Sequence, residues 1–304
     1  MKYITIKDIA KELSISVSTV SRALVDDKNI RKETKEKVLA MAEFLGYKPN
    51  PVALNLKYGR TNTIGVIVPE MVTPFASQVV KGIQRVLFRK GMKVVIAQSD
   101  ENPILEKENL TLMENFMVDG IIICPCHCSA NNMEYKRIRD ANIPIVFYDR
   151  FIEEKDVSKV IINDYAKAHF LVEHLIRSGR RKIAHLRAPL HILNSYERFK
   201  GYRDCIQKFK LDFNEKLVID TGMTISDGED GVKRLLKSGE SFDAIFAFTD
   251  TLAVGAMNYL RDQSIKIPED VSIAGFSGTV LSTIVYPRLT TVEQPLEKMG
   301  ETAA

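Results

Sequence analysis

Ile4–Leu24 reads ITIKDIAKELSISVSTVSRAL, and the head of the molecule is deciphered from this stretch outward. Ile6, Ile9, Ala10 and Leu13 fall at helical intervals and form one apolar stripe. Ser14-Ile15-Ser16 interrupts it. Ser16 is a good N-cap for a second helix, because its side-chain oxygen can accept from a backbone N–H of the first turn. In that helix Val17, Val20 and Leu24 are again helically spaced. Its exposed face carries Ser18, Thr19, Ser21 and Arg22, small hydrogen-bonding groups plus one guanidinium, which suit phosphate oxygens and base edges. Arg31–Leu45 predicts a longer amphipathic helix with Val38, Ala42 and Leu45 inward. Two helices on a tight turn, followed by a third, commonly seat a helix in the major groove of DNA. A helical bundle built for protein contacts is the bland alternative, and its outward face would be apolar rather than short-chained and basic.

Charge points the same way. Residues 1–60 hold twelve Lys and Arg against seven Asp and Glu, leaving 31 basic and 32 acidic residues for the rest. The positive balance therefore sits in the first fifth of the chain, an electrostatic footprint for a polyanion. At 304 residues, 45% hydrophobic and 27% charged, the sequence has room for two or three globular domains. No apolar run approaches membrane-spanning length, so no membrane partner is expected. The charged, amphipathic start MKYITIKDIAKEL is not a secretory signal. Three of the four cysteines fall within five residues, which is no disulfide framework. A reducing cytoplasm is the expected location.

After residue 60 the pattern turns to alternating β and α. Ile64–Val68, Val94–Ala97, Ile121–Cys124, Ile145–Tyr148, Ile183–Leu186, Ala244–Ala247 and Val271–Phe276 read as buried parallel strands. Helical segments separate them: Ser77–Lys90, Glu106–Phe116, Tyr165–Ser178, Arg198–Phe209, Asp227–Ser238 and Asp250–Gln263. This alternation predicts open parallel sheets covered on both faces, with ligands beyond the carboxyl ends of the strands. Whether the strands make one sheet or two is not decided by periodicity.

The ordered set GRTNTIGVIVP, VDGIIIC, IPIVFYDR, HLIRSGRRKIAHL, ERFKGY, DAIFAFTDTLAVGAM, IPEDVSIAGF and PRLTTVEQP, together with the head, resembles the lac repressor/galactose repressor family of bacterial transcription regulators. The likeness runs from Ile4 to Ala304. It implies an α/β protein with an all-α helix-turn-helix headpiece (1–49), a hinge helix or linker (50–60) and a core (61–304) like a periplasmic sugar-binding protein. That core would divide into an N-subdomain, about 61–160 plus 290–304, and a C-subdomain, about 161–289. The family pattern also runs on beyond TTVEQP, so closing elements past residue 304 are expected, and a form with them should be the more stable.

The resemblance assigns roles. Val17, Ser18 and Arg22 match base-reading positions, and Thr5, Ser16, Thr19 and Ser21 belong with the DNA-contacting set. Ser14 stands where the family turn usually has Gly. Asn50, Ala53 and Leu56 fall in the hinge, with Leu56 matching the leucine that wedges open a minor-groove base step. Leu54 stands where Arg is usual. For the effector, Phe75 matches the first of two stacking aromatics and Ala76 replaces the second. Asp149 matches a hydroxyl-binding carboxylate and Arg198 the arginine that forks onto hydroxyls or a carboxylate. Thr249, Asp250, Phe276 and Ser277 complete the set, although Thr249 replaces a usual Asn and Ser277-Gly278 lacks the usual aspartate. Without the resemblance, Leu56 reads as a linker leucine packed on the core, Phe75 as a helix-start core residue, and Asp149 and Arg150 as salt-bridge partners.

Cys124-Pro-Cys126-His127-Cys128 has soft ligands but is too compact for one tetrahedral metal site, so no metal is expected there. No catalytic triad, phosphate loop or dinucleotide fingerprint is present, and no enzymatic activity or cofactor is expected. The expected partners are pseudopalindromic double-stranded operator DNA, a sugar-like small-molecule effector and a second copy of the chain. The reading is an effector-controlled repressor. Its rivals are a sugar-binding sensor without functional DNA binding and a nucleotide-using α/β enzyme, and steep salt dependence of DNA binding separates the regulator from both.

Overall fold

A computed structural model describes residues 4–48, 59–152, 154 and 156–304. The chain forms two compact units, Met1–Thr61 and Asn62–Ala304.

In the first unit α1 (Ile6–Glu12), α2 (Val17–Leu24) and α3 (Lys32–Phe44) enclose a core of Ile9, Ala10, Val20, Ala23, Val38 and Ala42. The stripes in the sequence are therefore the faces that meet. At the start of α1, the Thr5 backbone N–H and hydroxyl both donate to Asp8, at 2.8 and 2.7 Å. Ser16 caps α2 by accepting from the Thr19 N–H at 3.1 Å. Between the two helices Ser14 turns the chain at φ +53°.

The second unit contains two sheets. The first is built from β1 (Thr63–Val68), β2 (Lys93–Gln98), β3 (Gly120–Ile123), β4 (Ile145–Tyr148) and β5 (Ser158–Val160), in the order β2-β1-β3-β4-β5. Helices α4 (Pro74–Arg89), α5 (Pro103–Asn115) and α6 (Asn132–Asp140) connect its strands. The second sheet contains β6 (Ile183–Arg187), β7 (Val218–Asp220), β8 (Ala244–Ala247), β9 (Ser272–Ser277) and β10 (Thr290–Glu293), in the order β10-β9-β8-β6-β7. Its helices are α7 (Asp164–Arg177), α8 (Leu193–Lys208), α9 (Ile225–Lys237), α10 (Asp250–Asp262) and the short α11 (Leu281–Ile284). All the strand pairs are parallel. Parallel strands need crossovers, and the helices that provide them bury both faces of each sheet. The cores lie there: Val66, Val68, Val79, Ile83 and Ile122 on one face of the first sheet, and Ile67, Leu110, Ile121, Ile123 and Phe147 on the other.

Both sheets share one order, with the strand sequence reversing beside the first strand of each. Ligands bind outside the carboxyl ends of strands at such a reversal. The final helix, α12 (Leu296–Ala303), does not stay with the second sheet: Leu296, Met299 and Ala303 join the core of the first. The return to the first half comes later than the expected residue 290. Residues 290–293 are β10, paired with β9 from Thr290↔Ala274 to Glu293↔Ser277, and Val292 buries itself in the core of the second sheet with Ala274 and Phe276.

Candidate functional site

On α2 of the head, Ser16, Val17, Ser18 and Arg22 are exposed, while Thr19 and Ser21 are half-buried. Val17 is 39% exposed, so its apolar spacing marks an outward position rather than a core one. Val20 and Ala23 do the inward packing. The Ser16 hydroxyl lies 2.8 Å from both the Ser18 and Thr19 hydroxyls, giving a cluster of interchangeable donors and acceptors at the helix start. A helix N-terminus with exposed hydroxyls suits phosphate oxygens. Thr5 is exposed at the start of α1. Asn50, Ala53 and Leu56, together with Leu54, lie outside the described residues.

In the second unit a cavity of about 750 Å³ opens at the carboxyl ends of both sheets. Loops after β1, β3, β4 and β8 supply Glu70, Cys124, Asp149 and Thr249, and the carboxyl end of β9 supplies Ser277. Phe75, Asp149, Arg198, Thr249, Asp250 and Ser277 all line it, so six of the seven residues singled out for the effector converge. Phe276 does not. It is fully buried on β9, and its ring lies 3.7 Å beneath the Arg198 guanidinium, so it supports a lining residue instead of touching the cavity. Strand alternation explains this: Ser277, one residue on, takes the cavity side.

Arg198 is buried on α8. Its Nε donates to Asp164 at 2.8 Å and its Nη1 to the Phe248 carbonyl at 2.7 Å, with the Phe248 ring 4.4 Å away. Burial pushes the Asp164 carboxyl up to about 6, against the downward pull of Arg198. Asp149 follows β4 at φ +58° and is fixed by its N–H to the Val160 carbonyl, at 3.0 Å. Its carboxylate accepts from Asn194 at 3.1 Å and Gln294 at 3.4 Å. Asn194 belongs to the second half, so Asp149 ties the two halves across the cleft. Asp250 begins α10 and accepts from the Thr279 N–H and hydroxyl and from the Thr291 hydroxyl, at 2.7, 3.0 and 2.5 Å. Thr249 caps α10 through the Leu252 N–H. Phe75 is half-buried in the first turn of α4, and Ala76 beneath it is a core residue.

Several further residues line the cavity. Glu101 holds Arg150 in a two-pronged pair, at 2.7 and 2.9 Å. Burial works against the Arg150 charge and Glu101 more than offsets it, raising the guanidinium above its ordinary value. Arg150 is thus the salt-bridge partner that the sequence suggested, whereas Asp149 makes no ion pair among the described residues. Asn194, Met223 and Thr279 also line the cavity. None carries a signal in the sequence, because each matters only through loops brought together by the fold.

In the Cys124–Cys128 loop, Cys124 and Cys126 are buried, and burial pushes both thiols up. The loop is held by buried Glu106, which accepts from the Cys126 N–H, Asn131 and the Tyr135 hydroxyl. His127 stacks on His191 of the other half, with ring centroids 5.0 Å apart. Among the described residues no group of three or more His, Cys, Asp or Glu is placed to hold a metal ion.

Comparison with known proteins fits this arrangement. Residues 61–304 match the family described as periplasmic binding proteins and sugar binding domain of LacI family, and residues 5–50 match bacterial regulatory proteins, lacI family. The chain is 33% identical over 302 residues to catabolite control protein A of Priestia megaterium, covering 99% of this chain and 90% of that one. It is 31% identical to the ribose operon repressor of Halalkalibacterium halodurans, covering 97% and 87%. A lac repressor dimer solved with operator and an anti-inducer shares the fold, with a TM-score of 0.85, 24% identity and coverage of 99% and 91%. The head, the paired sheets and these likenesses together establish that the chain belongs to the lacI family of bacterial regulatory proteins.

Proposed function

We propose that this protein is a repressor that binds a pseudopalindromic operator as a homodimer and is controlled by a small, sugar-like effector held in the cavity between its two sheets. What carries the reading is the union in one chain of a helical head with an exposed serine-and-arginine face and a two-sheet core whose loops converge on one cavity. Val17, Ser18 and Arg22 read bases: a methyl contact to thymine, a two-way hydrogen-bonding group and a guanidinium that can fork onto guanine. Thr5, Ser16, Thr19 and Ser21 contact the backbone. Asn50, Ala53 and Leu56 form the hinge, with Leu56 as the minor-groove wedge. One head offers few base contacts, so two heads and matching half-sites are needed.

Phe75, Asp149, Arg198, Thr249, Asp250 and Ser277 hold the effector. Because Asp149 bonds to Asn194 across the cleft, a ligand that takes over either group alters what joins the halves. Such a ligand shifts the DNA-binding equilibrium to the extent that it prefers one arrangement of the halves. The protein acts where its operator is, in the cytoplasm, and by binding, not catalysis.

Selection of duplexes from a random pool by the full chain tests this. Enrichment of a pseudopalindrome with a fixed centre is the expected result. Isolated half-sites would remove the dimeric, hinge-paired reading, and no enrichment would remove DNA recognition itself.

A further inference from the structure

We propose that the effector carries a positively charged amino group on a sugar-like ring, and that the cavity rejects phosphorylated and carboxylated sugars. The inference rests on the reading of this cavity as the effector site and adds the charge of what enters it.

Five carboxylates line the cavity, those of Glu70, Asp100, Glu101, Asp149 and Asp250, against two guanidiniums, those of Arg150 and Arg198. Both guanidiniums are ion-paired within the protein, although the Arg150 Nε has no hydrogen-bond partner there. Arg150 forks onto Glu101, and Arg198 is held by Asp164, the Phe248 carbonyl and the Phe276 ring. An anionic ligand therefore meets no guanidinium on the cavity wall that lacks a carboxylate partner. Glu70, Asp100, Asp149 and Asp250 make no ion pair among the described residues. Glu70 accepts from Thr73, Asp100 from Gln98, Asp149 from Asn194 and Gln294, and Asp250 from Thr279 and Thr291. All these donors are neutral, so the lining keeps a surplus of formal negative charge.

A second observation points to a ligand with donors. Asn194 lines the cavity and is 5% exposed. Its Nδ2 must face Asp149, because a carboxylate needs a donor, and this fixes the amide orientation. Its Oδ1 is then a buried acceptor without a partner in the protein. Beside it stands the Asp149 carboxylate. An ammonium group has several N–H donors and can serve both acceptors at once, and it gains from the surrounding negative charge where a hydroxyl does not. The rings of Phe75 and Phe248 on the cavity wall suit the apolar face of a sugar ring and also favour a nearby cation.

Matched sets of sugars decide the matter: hexoses, pentoses and disaccharides, each as neutral parent, amino derivative, carboxylate and phosphate. Glucose, glucosamine, glucuronate and glucose 6-phosphate make one set. Binding is measured by calorimetry on the full chain, with retention of its selected operator followed in parallel. In the responding set the amino sugar is expected to bind about tenfold tighter than the neutral parent, and the phosphate and carboxylate about tenfold weaker. Asp100→Asn, at an exposed position, should bring the amino-to-neutral ratio towards one while leaving the neutral parent's affinity largely unchanged. A phosphate or carboxylate that binds as tightly as its parent overturns the proposal, as does an amino-to-neutral ratio of one. Failure of the effector reading looks different: the operator is bound, but no sugar in any charge state binds or changes its retention.

Discussion

Ser14 turns the chain from α1 into α2 at φ +53°, in the left-handed region where a Cβ is penalised. Its side chain is exposed, so nothing but the turn depends on it. Ser14→Gly relieves that penalty, less the entropy Gly loses on folding, and should stabilise the head by about 0.5–1 kcal/mol. Slower amide exchange in α1 and α2 is the readout. Arg22 is exposed on α2, where it is proposed to read a base. Arg22→Ala should cost about 1–3 kcal/mol of discrimination at one base pair and flatten preference there, measured by binding to single-base operator variants. His185 is fully buried against Phe246, and burial lowers its imidazole from 6.5 to about 3. The unfolded chain therefore takes a proton near pH 6.5 that the folded chain refuses until near pH 3. Stability falls as pH drops through that window, and the contribution is absent above it. In denaturant titrations from pH 7 to 4, His185→Gln should show a shallower decline than the parent.

Helices α4 and α12 touch backbone to backbone. A Cβ on Gly82 would overlap the Glu297 carbonyl, and one on Gly300 would overlap that of Val79. Gly82→Ala should therefore force the helices apart and destabilise the protein by about 1–3 kcal/mol, seen as a lower denaturation midpoint. Exposed Lys81 and Arg85 also pair with Glu297 here, but such surface pairs contribute little, and Lys81→Ala should leave the midpoint almost unmoved. The seven strands legible in the sequence are the apolar runs that pack on both faces. The three that were not, β5, β7 and β10, are short edge strands whose SKV, VID and TTVE sequences keep partly exposed sides and no apolar run. Helix α6 escaped because only Tyr135 and Ile138 of its nine residues face inward. At the site, Phe75, Asp149 and Arg198 were legible through family likeness. Glu101 and Asn194 were not, since contacts formed across separate loops leave no spacing in the chain. Phe276 was misplaced by one residue's alternation on β9.

At the scale of the molecule, positive charge and cavity chemistry are segregated. Basic residues are in excess in the first sixty, while the carboxylate-rich cavity lies in the second unit. The two binding events should therefore respond differently to salt. Operator affinity should fall linearly on a log–log plot with a slope of about −0.9 for each phosphate neutralised. Affinity for a neutral sugar should stay nearly level over the same range, since uncharged hydrogen bonds are little screened. Parallel titrations of both ligands check this, and equal slopes would show that the head does not act as a separate polyanion-binding unit.

The path of α12 has a consequence for how the chain is made. Lys81 and Glu297, joined side by side, are 216 residues apart in sequence. Domains generally fold as units while they leave the ribosome, N-terminal first. Here the first half has its five strands by Val160, yet the face of α4 that receives Leu296, Met299 and Ala303 is covered only after the whole second half has been synthesised. The half that begins first is finished last. Throughout the interval it presents an apolar helix face that a chaperone can hold or another nascent chain can capture.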